Sequence, residues 1–96
     1  MMNAKTELIA HMFKTPGTKC IHIEYDGRII QLKREAKYSE FEAFLEELDF
    51  DYDEGYGSQE LFGIIWHKDG SWSRRSEYDG SEWWVHYSCP EIPEGL

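Results

Sequence analysis

Three Asp-Gly pairs, Asp26-Gly27, Asp69-Gly70 and Asp79-Gly80, each sit between stretches rich in β-branched and aromatic residues. Asp-Gly readily supplies the two positive-φ positions of a two-residue hairpin turn, so each pair predicts a tight antiparallel connection. Three such turns commit most of the chain to antiparallel strands. The first one checks itself. Over residues 19–34, closing the turn pairs Tyr25 with Arg28, Ile23 with Ile30 and Ile21 with Leu32. The apolar residues then share one face, and Cys20, His22, Glu24, Gln31 and Lys33 share the other, with Ile29 the exception. Turn chemistry and side-chain alternation agree on one register.

The other two turns predict a meander over residues 61–88, with strands near 61–67, 71–78 and 82–88. Two-residue turns at both places put Leu61, Gly63, Ile65, His67, Trp72, Arg74, Tyr78, Trp83, Val85 and Tyr87 on one face. Phe62, Ile64, Trp66, Ser73, Arg75, Glu77, Glu82, Trp84 and His86 fall on the other. Both faces are aromatic, whereas a sheet wet on one side alternates cleanly. Either a loop, the tail or a second copy in a homodimer covers the second face, or that face is a recognition surface. Trp, Tyr and Arg are the residues enriched at binding hot spots. This register also sets Glu77 opposite Glu82, an unfavourable pair that Arg75 is placed to neutralise.

Helical spacing marks two further segments. In residues 3–14, Asn3 is the cap and Leu8, Ile9, Met12 and Phe13 form a stripe, ending at Thr15-Pro16-Gly17. In residues 39–49, Ser39 and Glu42 suit a capping box, and Phe41, Phe44, Leu45 and Leu48 repeat at helical spacing. Residues 50–60 read as an acidic loop and 89–96 as an irregular tail. The order is α-β-β-α-β-β-β, an α+β fold with one antiparallel sheet of up to five strands packed with two helices.

The chain has 96 residues, 11.4 kDa, enough for one domain with residues 1–96 as a single unit. At 41% hydrophobic and 16% aromatic it is too apolar for a disordered chain. Its net charge of −9 disfavours nucleic acid and anionic membranes as partners of the whole molecule. No apolar run is long enough to span a bilayer, and MMNAKTELIAHMFK lacks the apolar core of a signal peptide. Two cysteines do not make a disulfide framework, so a reducing cytoplasm is the expected location.

The acids are concentrated. Glu40, Glu42, Glu46, Glu47, Asp49, Asp51, Asp53 and Glu54 fall within one stretch, and no Lys or Arg occurs between Tyr38 and His67. One reading is a solvated face. A second is an electrostatic surface for a basic protein, in its extreme form a mimic of DNA phosphates. A third is calcium, because Asp49, Asp51, Asp53 and Glu60 have the 1, 3, 5 and 12 spacing of an EF-hand loop. Against calcium, Glu54 stands where that loop needs Gly, and LFGIIW after it reads as a strand. Cys20-x-His22 and His86-x2-Cys89 are a formal set of four zinc ligands, without the spacing of a known finger. No glycine-rich phosphate loop, nucleophile elbow or H-E-x-x-H motif occurs, and no enzyme is expected.

The segments GIIWHKDGSW, EYDGSEWW and CPEIP, within residues 60–93, resemble short uncharacterised acidic proteins of tailed bacteriophages. The resemblance implies an accessory factor acting in the host cytoplasm on a host protein, and it assigns no catalytic residue. The expected contact combines Glu40, Glu46, Glu47, Asp49, Asp51, Asp53 and Glu54, which would meet a basic surface, with Trp66, Arg75 and Trp84 as a desolvated anchor.

Overall fold

The structure is a computed structural model that describes residues 1–53 and 58–96. Its elements are β1 (Met2–Asn3), α1 (Ala4–Phe13), β2 (Thr18–Tyr25), β3 (Arg28–Leu32), α2 (Tyr38–Glu47), β4 (Asp51–Tyr52), β5 (Leu61–His67), β6 (Trp72–Tyr78) and β7 (Ser81–Tyr87). β3, β2, β5, β6 and β7 lie side by side in one antiparallel sheet, and β1 and β4 form a separate short ladder. The fold is α+β. None of the described helices is long and apolar enough to cross a membrane.

Both helices lie on the same side of the sheet. α1 is capped by Asn3, whose side chain accepts the Thr6 N–H at 2.9 Å. It turns Ala4, Leu8 and His11 inward, while Phe13 is exposed. The expected stripe of Leu8, Ile9, Met12 and Phe13 is therefore rotated, because His11 finds hydrogen-bond partners inside and Phe13 overhangs the last turn. α2 starts one residue earlier than expected. The Glu40 carboxylate, not the Glu42 one, reaches back to the backbone N–H of Lys37. Phe44 and Leu48 enter a core made with Ile21, Ile23, Ile30, Leu32, Leu61 and Ile65.

The β2–β3 hairpin has the register expected from its sequence, Tyr25↔Arg28 to Ile21↔Leu32. The β5–β6 turn does not. Asp26-Gly27 and Asp79-Gly80 both take positive φ at both residues, the two-residue turn. At Asp69-Gly70 only Gly70 does, with φ 88°. His67 N–H donates to the Ser71 carbonyl at 3.0 Å, leaving three residues in the loop, and the Asp69 side chain accepts the N–H and hydroxyl of Ser71. This is the three-residue turn in which a left-handed Gly follows a type I bend. It pairs Trp66 with Trp72 and Ile64 with Arg74. The one-residue change carries β6 and β7 to faces opposite to those expected. Leu61, Ile65 and His67 therefore share the helix-covered face with Ser73, Arg75, Glu82 and Trp84. Trp84 rests on Gly63, where a Cβ would lie 2.9 Å from its ring and 3.0 Å from the His22 carbonyl oxygen.

Candidate functional site

The acidic candidates are all at the surface. Glu40, Glu46 and Glu47 are exposed on α2, held in place by the buried Phe44 and Leu48. Asp49, Asp51 and Asp53 follow, also exposed; Glu54 lies outside the described residues. Asn3 donates its side-chain amide to Asp49 at 3.0 Å and to Asp51 at 3.3 Å, so the β1–β4 ladder holds two carboxylates side by side. Among the described residues, none of these six acids forms an ion pair with Lys or Arg.

This arrangement does not gather the calcium set. Asp49 and Asp51 turn to Asn3, whereas Glu60 accepts the backbone N–H of Asp53 at 3.2 Å, and the chain after Glu60 is a strand. Among the described residues no group of three or more His, Cys, Asp and Glu side chains converges as metal ligands would. The zinc set is dispersed as well. Cys20 and His22 lie on β2, while His86 lies three strands further across on β7, on the opposite face, and Cys89 is exposed beyond it.

The expected anchor is split by the register. Trp66 is on the open face, 42% exposed, while Arg75 and Trp84 are interior at 5% and 7%. Arg75 is the hub of a buried polar cluster that the sequence does not announce. Its guanidinium donates to Tyr52 Oη at 2.7 Å and to Glu82 at 3.1 Å, and lies 2.9 Å from Glu7 in an ion pair poorly aligned for a hydrogen bond. It also sits over the rings of Trp84 and Tyr52, at 5.3 and 5.5 Å. Burial would lower the Arg75 pKa, but Glu7, then Tyr52 and Glu82, outweigh it and raise it. Burial and the Glu7 hydrogen bond push the Tyr52 phenol well above its ordinary value. Glu82 takes, in addition, the backbone N–H groups of Glu60 and Leu61, at 2.6 and 3.1 Å. The one sequence hint was the Glu77–Glu82 clash, which Arg75 relieves.

Three histidines line the end of the same layer. Pro16 offers a carbonyl, so His67 carries its proton on Nδ1, 2.9 Å away. His67 Nε2 must then accept from Ser73 Oγ at 2.7 Å, and Ser73 Oγ accepts from His11 Nε2 at 2.8 Å. This chain runs one way, from His11 through Ser73 to His67. Burial, then the charge of Lys14, lowers the His11 pKa to about 4. His86 donates to Ser71 Oγ at 2.9 Å, whose hydroxyl donates to Asp69 and holds that carboxyl below its usual range. In a nucleophile–base–orienter set the acid would hold the histidine; here it holds the serine. Ser73 is wholly buried. The His11–Ser73–His67 chain fastens α1 to β5 and β6.

The sheet face away from the helices is open. Trp72 and Trp83 are 38% and 40% exposed there, with Phe62 and Tyr87 similarly placed. Comparison with protein-family models, curated proteins and solved structures returns no match.

Proposed function

We propose that the protein is a non-enzymatic binding module, of the accessory kind that tailed phages encode, which docks the acidic surface of α2 and β4 on a basic surface of a host protein. The observation that carries this reading is the row Glu40, Glu46, Glu47, Asp49, Asp51 and Asp53, exposed on a fixed scaffold and without a cationic partner among the described residues. A stability role alone would not crowd Asp49 and Asp51 against one amide beside a helix C-terminus, where the helix dipole opposes negative charge. Such a surface gains its effect through steered association and fixed register, and its binding weakens with salt. Arg75 and Trp84 support the scaffold in this reading and leave the contact to the carboxylates.

The test is a tagged pull-down from nuclease-treated bacterial lysate at low and high salt, read by mass spectrometry. A stoichiometric protein retained at low salt and released at high salt is the expected result. The combined variant Glu46→Gln, Glu47→Gln, Asp51→Asn and Asp53→Asn should then lose affinity and flatten the salt dependence. Unchanged affinity would remove the electrostatic model.

A further inference from the structure

The sheet face away from the helices is poor in charge over its last three strands. On β5, β6 and β7 the open face carries Arg74 as its sole charged side chain. Trp66, Trp72 and Tyr87 stand directly opposite one another on those three strands, a row of rings running across the sheet, with Trp72 and Tyr87 stacked at 6.1 Å and 16°. At the β2 end of this row lie two adjoining clefts of about 470 Å³ each that share Leu32, Lys33 and Arg34. One is walled by Trp66 and His22 on the open face; the other lies round the sheet edge on the helix side, walled by Lys19 and Lys68 together with Met12 of α1 and Phe41 of α2. Four cations thus meet there against one lining carboxylate, Glu35, in a chain with 19 acids and 10 bases.

We infer that this open face binds single-stranded nucleic acid, with bases stacked on Trp66, Trp72 and Tyr87 and the phosphates led over the sheet edge by Lys33 and Arg34 toward Lys19 and Lys68. Aligned rings suit bases because every base has a π face, and clustered cations beside them suit the backbone. An acidic peptide would use the cations and leave the ring row without a purpose. A duplex would hide the faces of its bases. The net charge argues against nucleic acid only if it is spread evenly. Here the acids from Glu46 to Asp53 belong to the helix layer, and the molecule measures 48 × 37 × 22 Å, against a screening length of about 8 Å at physiological salt. The site goes beyond the acidic-surface reading, because its rings stand on the sheet face opposite α2, which carries Glu46 and Glu47.

The experiment uses the full chain with fluorescein-labelled oligothymidylate, following anisotropy and tryptophan emission across a salt series. Saturable binding with quenched tryptophan is expected, weakening as salt rises. Trp72→Ala should weaken binding roughly 5- to 150-fold while Trp72→Phe retains most of it. Lys33→Ala with Arg34→Ala should reduce the salt slope by roughly 1.4. Circular dichroism shows that each variant is folded. The fourfold acid variant of the preceding section should bind the oligonucleotide at least as well, which separates this site from the acidic one. No anisotropy change at low salt overturns the inference. Equal competition by polyglutamate or inorganic phosphate overturns it in favour of a simple anion cleft, and equal competition by duplex DNA removes base stacking. A dimer whose formation buries these tryptophans and excludes the oligonucleotide overturns it in favour of self-association.

Discussion

Arg74 and Arg75 are neighbours in sequence, as are Trp83 and Trp84, yet each pair is divided by the sheet. Arg75 and Trp84 lie under α1, bonded, stacked and nearly inaccessible; Arg74 and Trp83 face outward on the side without helices. Composition does not separate the two faces, since both carry Trp and Arg. What separates them is the presence of α1, together with the three-residue turn that decides which side chains meet it. The same residue type is structural on one side and available to a ligand on the other.

The sharpest way to break this comparison is to remove one member of each pair. Arg75→Met leaves Glu7 and Glu82 without their buried cation and should cost about 3–5 kcal/mol in urea unfolding. Arg74→Met should stay within about 0.5 kcal/mol, as exposed substitutions generally do. Equal losses would mean that the faces are not distinct. Trp84→Ala opens a hole over Gly63 and should cost roughly 3 kcal/mol, while Trp83→Ala should cost well under half of that.

A smaller effect sharpens the comparison through pH. Folded His11 binds its proton only below about 4, against 6.5 when unfolded. Its contribution is therefore complete above pH 6.5 and is lost as the pH falls toward 4, by roughly 2–3 kcal/mol at the lower end. Denaturation midpoints across that window should show the slope, and His11→Gln should flatten it.

Much of the fold was legible because local and global signals coincided. Asp26-Gly27 sits in a stretch whose alternation permits one register, so β2 and β3 could be paired residue by residue. Asp69-Gly70 carried the same letters without that safeguard, because Ile64, Trp66, Trp72 and Trp84 are apolar whichever way they point. Ser71 settled the matter by giving Asp69 a local hydrogen-bond partner, a choice that turn propensity does not encode. The burial of His11 was missed since a histidine breaks an apolar stripe unless its partners, Ser73 and His67, are known. β1 and β4 span two residues each and leave no periodic trace. For the candidate surface, the exposure of Glu40, Glu46 and Glu47 followed from helical spacing, and that of Asp49, Asp51 and Asp53 from their acidity. The separation of Trp66 from Arg75 and Trp84 did not, because it depends on the slipped turn.

The Glu82 carboxylate has one more consequence. Strand ends ordinarily fray, exchanging their amide protons through local openings that leave the rest of a protein intact. The amides of Glu60 and Leu61, where β5 begins, are instead gripped by a side chain of β7, two strands away at the sheet edge, and that side chain is itself locked to Arg75. Opening the start of β5 thus requires parting β6 from β7 or surrendering a buried charge. The start of β5 should therefore exchange its amide protons as slowly as the interior of the sheet.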